Sequence, residues 1–151
     1  MAGTPSRSVP RQLRRLIARR AGCTLPDAQL LEAFASRGDQ ASFEVLVWRH
    51  AGMVHDLCLR VLRHEHDAED AFQAVFLVFA KKAASIGKGE AVGSWLYKVA
   101  YRIALRLRSS AARRAGHERA DDDLPARDAT DEAQRRDLRR AVDEEIDRLP
   151  E

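Results

Sequence analysis

The chain has 151 residues, 45% apolar and 32% charged, with 26 Lys and Arg against 23 Asp and Glu for a formal charge of +3. That length suits one domain with tails, and its two cysteines, Cys23 and Cys58, are too few for a disulfide-stapled secreted scaffold. No run approaches the roughly 18–20 apolar residues of a membrane span and no apolar signal core follows the basic start, so the chain reads as a soluble cytoplasmic protein.

The small net charge hides alternating blocks. Residues 1–22 carry six Arg and no acid, and residues 23–80 carry nine acids against four bases. Residues 81–119 carry ten bases against two acids, and residues 120–151 twelve acids against six bases. Such blocks imply faces with different partners, and 81–119 is the natural nucleic-acid candidate. The acidic block suits a solvated linker or an internal competitor for the basic face.

In chain order, Pro5, Pro10 and Gly3 mark residues 1–10 as disordered. A basic helix is expected over Arg11–Arg20, with Leu13, Leu16 and Ile17 on one face. Thr24 is a candidate N-cap for a helix ending at Arg37, stopped by Gly38. Asp39 or Ser42 opens the next helix, in which Phe43, Leu46, Val47, His50, Val54, Leu57 and Val61 repeat at helical spacing. Gly52 is a candidate bend, and His64-Glu65-His66 a break.

Asp67 then caps a helix running to about Ser85. Its Ala71, Phe72, Val75, Phe76, Val78 and Phe79 are apolar nearly all round, the mark of a buried central helix. Glycines punctuate a loop from Ile86 to Gly93. Ser94 caps a last strong helix, about Trp95 to Arg114, with Leu96, Val99, Ile103 and Leu107 as its core stripe. Residues 115–130 read as a linker, followed by a weaker amphipathic helix bearing Leu138, Val142, Ile146 and Leu149. No strand alternation occurs, so the expected class is all-α, a bundle of three or four main helices.

Three constellations stand out. On the last strong helix Lys98, Arg102 and Arg106 form one basic stripe, Tyr97 and Tyr101 an adjacent aromatic one, and Arg108 and Arg113 extend the charge. Charges that hold phosphates, interleaved with rings that stack bases, suit single-stranded nucleic acid, although a solvated basic face has the same composition. The loop Ile86–Gly93, with Lys88, suits an unstacked base; the bland alternative is a plain helix-to-helix turn, and it lacks the spacing of a phosphate-binding P-loop. Asp70, Gln73 and Leu77, one turn apart, set polar anchors beside an apolar ridge, as protein interfaces do. Acids at a helix N-terminus also complement its dipole.

His50, His55, Cys58, His64 and His66 match no zinc signature, and no nucleophile triad or paired carboxylate stands out. The sequence therefore predicts no enzyme activity, no metal and no cofactor.

The run Asp67–Leu77 (DAEDAFQAVFL) resembles the region-two signature of bacterial sigma factors, and so does Gly93–Arg102 (GSWLYKVAYR). The nearest resemblance is to the extracytoplasmic-function (ECF) group, whose opening looks like Asp27–Leu31 and Phe43–His50. The variant Phe72–Phe76, followed by Lys81–Ile86, looks like planctomycete-type members. The resemblance covers about residues 24–114 and rests on three separated motifs in the right order.

It implies a region-two domain over residues 23–115, a basic N-terminal extension over 1–22 and, over 116–151, an acidic linker with the start of a second, region-four domain. Ile146–Glu151 looks like the opening of that domain, as if the chain were a fragment of a longer factor. It also implies a transcription initiation factor that docks on core RNA polymerase and helps melt the promoter minus-ten element. Asp70 and Gln73, extended by Leu77, match positions that dock on the clamp helices of the largest polymerase subunit. Trp95, Tyr97, Lys98, Arg102 and Arg106 match the helix facing the single-stranded non-template strand, where members often carry Asn in place of Arg102 and Arg106. The loop matches a segment that captures a flipped base. The other reading is a helical interaction module, for example one that binds an anti-sigma factor, without productive DNA recognition.

Overall fold

The computed structural model describes the backbone of residues 25–87, 90–120 and 127–150, and their side chains apart from 117–120 and 127–130. The helix expected over Arg11–Arg20, the Thr24 cap and Lys88 lie outside the described residues. Five α-helices are described: α1 (Asp27–Arg37), α2 (Gln40–Leu62), α3 (Glu65–Lys82), α4 (Val92–Ala120) and α5 (Arg127–Arg148), with a 3-10 turn at Ala83–Ser85. No strand occurs among the described residues, so the fold is the all-α bundle that the periodicity predicts.

Local chemistry sets the helix ends. Gly38 takes a left-handed conformation (φ 64°). Its N–H donates to Phe34 O and that of Asp39 to Ala33 O, which satisfies the last carbonyls of α1. Asp39 is the N-cap residue of α2. The break after α2 falls earlier than expected. Arg63 adopts φ 54°, and α3 opens at Glu65 with His64, not Asp67, as its cap; His64 Nδ1 accepts from the Asp67 N–H at 3.4 Å. Glu65 and Asp67 in the first turn of α3 and Lys81 and Lys82 in its last complement the dipole.

The expected linker over 115–130 is shorter than the sequence suggests. Helix α4 continues to Ala120, starting at Val92 rather than at a Ser94 cap, and α5 has begun by Arg127. The Ala- and Arg-rich stretch after Leu107 has high helix propensity, and Gly116 alone does not end it.

Helix α3 is the centre of the bundle, as its apolar circumference predicts: Ala68, Ala71, Val75, Val78 and Phe79 are fully buried. Stacked and tilted rings then tie the first four helices together. Phe34 of α1 lies 4.7 Å from Phe43 of α2, which lies 5.8 Å from Phe79 of α3, which lies 5.7 Å from Trp95 of α4. Leu96, Val99 and Ile103 complete the core from α4. Helix α5 packs across α3 and α4 and adds few core groups, chiefly Ala141 and Val142. Among the described residues no helix is long and apolar enough to cross a membrane.

Candidate nucleic-acid interface

The basic helix α4 has two differently exposed halves. Tyr97 and Tyr101 lie one turn apart, 45% and 44% exposed. Lys98 lies between them in sequence, and its Nζ is 4.0 Å from Glu90 Oε1 at the end of the preceding loop. These three side chains present flat rings and a cation to solvent. Trp95 is different: it is 5% exposed and packs on Phe79. Its indole is a core group, so it leaves the set of contact residues drawn from the sequence. Helical spacing places Trp95 near Tyr97 along the chain but does not say which side of α4 meets the bundle.

Further along α4, the arginines are engaged by α5. Arg102 Nε donates to Glu145 Oε1 at 2.7 Å, and Arg106 Nη1 donates to Glu145 Oε2 at 3.0 Å. Arg106 Nη1 also reaches Ala141 O at 3.3 Å, and its Nε lies 3.6 Å from Glu144 Oε2. Arg114 Nε is 3.3 Å from Asp137 Oδ2. Glu145 is completely buried; a carboxylate is tolerated there because both oxygens accept charged hydrogen bonds. Arg108 and Arg113 stay exposed. Sequence reasoning named the arginines but missed Glu145. The available signal was an acid on the apolar stripe of α5, one turn from Val142 and Leu149.

The ridge on α3 is open. Gln73 and Leu77 are exposed and Asp70 is partly so. Burial, with Asp67 and Glu69 nearby, pushes the Asp70 carboxyl above its ordinary range against the opposing pull of His66 and Arg135. Asp70, Gln73 and Leu77 border a groove of about 600 Å³ whose other wall includes Arg135, Leu138 and Arg139 of α5. Helix α5 thus lies between the ridge and the arginines.

The loop after the 3-10 turn starts from the buried Ile86. With α1 it borders a groove of about 400 Å³ lined by Leu31, Ala35, Ile86 and Glu90 among others. The start of α1, which borders this groove, is braced from α2. His50 Nε2 lies 2.7 Å from Asp27 Oδ2, and Arg49 Nη1 donates to Asp27 Oδ1 at 2.9 Å and to Leu25 O at 2.7 Å. Burial alone would raise the Asp27 pKa, but the hydrogen bonds and charges of Arg49 and His50 outweigh it and hold it below the ordinary value.

The histidines and cysteine weighed as metal ligands are dispersed. His50 serves Asp27, His55 meets the edge of Phe72 at 6.2 Å, His64 caps α3, and Cys58 is buried. Among the described residues no cluster of three or more His, Cys, Asp or Glu is placed to hold a metal ion.

Residues 46–114 match the sigma-70 region 2 family. The ECF RNA polymerase sigma factor SigE of Mycolicibacterium smegmatis is 31% identical over 128 residues, covering 78% of this chain and 48% of that protein. The RNA polymerase sigma-H factor of Pseudomonas aeruginosa is 28% identical over 103 residues, covering 68% of this chain and 51% of that protein. The chain spans about half the length of these curated relatives, and no solved structure gives a significant match. The region-two match takes in the central helix α3 with its ridge and α4 through Arg114, which carries the exposed tyrosines; residues 46–114 thus form a sigma-70 region 2 domain, in a chain similar to an ECF sigma factor.

Proposed function

We propose that this chain is the promoter-melting part of an alternative sigma factor, acting with core RNA polymerase and performing no chemistry itself. Residues 23–115 are assigned to the region-two domain, and 116–151 to a linker and the opening of a second domain. Asp70, Gln73 and Leu77 are assigned to polymerase, on the clamp helices of its largest subunit. Tyr97, Lys98 and Tyr101, extended by Arg102, Arg106, Arg108 and Arg113, are assigned to the single-stranded non-template DNA. The groove between α1 and the loop is assigned to an unstacked base. The observation that carries this reading is the pair of exposed tyrosines on a basic helix within the region-two match.

Magnitudes support a division of labour with polymerase. Opening about ten base pairs costs on the order of 14 kcal/mol, at a mean near 1.4 per step. One or two base stacks return about 1–3 kcal/mol each. The domain alone therefore holds strands that polymerase helps to open, and its own affinity for DNA is weak and salt-sensitive.

Fluorescence anisotropy of the labelled chain with core polymerase tests the docking assignment, comparing wild type with Asp70→Lys combined with Gln73→Ala. Loss of binding in the variant supports it; undiminished binding overturns it. Tyr97→Ala with Tyr101→Ala should weaken binding of a minus-ten non-template oligonucleotide about thirtyfold, at about 1 kcal/mol for each of two lost stacks. An unchanged affinity would favour a protein-interaction module.

A further inference from the structure

We infer that α5 is a built-in lid on the nucleic-acid face, whose Glu145 occupies the arginine sites that phosphate would otherwise take. This inference rests on the reading of Arg102 and Arg106 as nucleic-acid contacts and adds how access to them is controlled.

Three observations carry it. Both oxygens of a fully buried carboxylate are used, one by Arg102 and one by Arg106. The Nε of Arg102 and the Nη1 of Arg106 point at α5, and these donors cannot serve a phosphate at the same time. The coverage is also graded along α4. Tyr97, Lys98 and Tyr101 are exposed, whereas Arg102, Arg106 and Arg114 are paired with Glu145, Glu144 and Asp137. A strand meeting α4 touches the open rings, Lys98 and the exposed Arg108 and Arg113 first, and reaches Arg102 and Arg106 only as α5 lifts.

The third observation is that α5 is held in a way that lets it leave. Every other large, fully buried side chain among the described residues comes from α1–α4. Helix α5 contributes Ala141 and Val142, with Leu138, Ile146 and Leu149 only partly covered. A buried ion pair roughly breaks even between desolvation and attraction, so Glu145 adds selectivity for this seat more than strength. When α5 lifts, the carboxylate returns to water and two arginines are released together. If the lid is closed about nine-tenths of the time, it weakens apparent nucleic-acid affinity about tenfold.

The test measures binding of a fluorescein-labelled dT12 oligonucleotide to the full chain by anisotropy, beside hydrogen exchange of residues 127–148. Glu145→Gln should tighten binding about tenfold and loosen exchange protection of α5. Glu132→Gln is the control: Glu132 pairs with Arg136 on the exposed side of α5, so it removes the same charge without touching the arginines and should change affinity little. If Glu145→Gln fails to fold, Asp137→Asn with Glu144→Gln unpins the rim of the lid and should tighten binding about two- to threefold.

Loosened exchange with unchanged affinity would overturn the lid, and so would equal gains from Glu145→Gln and Glu132→Gln. Arg102→Ala with Arg106→Ala separates this failure from failure of the underlying reading. If it weakens binding while Glu145→Gln does nothing, the arginines bind nucleic acid and the lid is wrong. If it has no effect in either background, the assignment of the arginines fails, and the lid with it.

Discussion

The imidazole of His50 closes on the backbone of Gly93, so that a methyl group there would stand 3.3 Å from Cε1 and 3.5 Å from Nδ1. The ring cannot swing aside freely, because Nε2 lies 2.7 Å from Asp27 Oδ2. This contact fixes the first turn of α4 against α2, where the loop from Ile86 ends.

Gly93→Ala is therefore expected to destabilise the fold by about 1 kcal/mol, the low end of overpacking costs, despite the better helix propensity of alanine. With His50→Ala the crowding disappears, and the double variant should show a coupling of about 1 kcal/mol in denaturant titrations. Strict additivity would mean that the contact limits nothing.

Gly52→Ala should do the opposite. Helix α2 runs unbroken through Gly52, which is exposed and has nothing within 4 Å of an added Cβ. The bend expected there does not break the helix. Alanine should add about 0.5–1 kcal/mol and raise Tm by about 1–4 °C in a thermal melt.

Asp27 gives the acid limb of the stability curve a specific contributor. Its carboxyl ionises more readily in the folded chain than an ordinary aspartate, whose pKa is 3.8. The ionised form therefore favours the fold above that value, and the contribution is lost as pH falls through the lower, folded pKa. Asp27→Asn should be less stable than wild type at neutral pH, and the two should converge below about pH 4. A constant difference from pH 7 to pH 2.5 in urea titrations would show that the charge on Asp27 is not what stabilises.

Cys58 should be chemically silent. Burial pushes its thiol up to about 11, so at pH 8 only about one molecule in a thousand carries the thiolate at that site. Peptide mapping after iodoacetamide treatment of the native chain should find Cys58 unmodified, and denaturant should expose it to full alkylation. Labelling in the native state would show local opening of α2.

The parts of this fold legible in the sequence are those set by neighbours in the chain. Gly38 stops α1, and the apolar circumference of α3 marks the centre of the bundle, because caps and periodicity act over one or two turns. What was not legible is long-range. Arg102 and Glu145 are 43 residues apart in sequence, and nothing in the basic stripe announces its acidic partner. Trp95 was misplaced because a stripe tells which residues share a side of a helix, not which side meets the core. The break expected over His64–His66 narrows to Arg63 and His64, with His64 rather than Asp67 as the cap, because Arg63 takes a left-handed conformation usually left to glycine or asparagine.

The burial of Trp95 also divides the optical properties of the protein. The chain has two tryptophans: Trp95 sits in the ring ladder beside Phe79, while Trp48 on α2 is 51% exposed. Acrylamide should extinguish the red-shifted emission of Trp48 and leave the blue-shifted emission of Trp95. The remaining signal reports the seating of α4 on α3, so melting of the bundle and events at its surface can be followed by colour in one unlabelled sample.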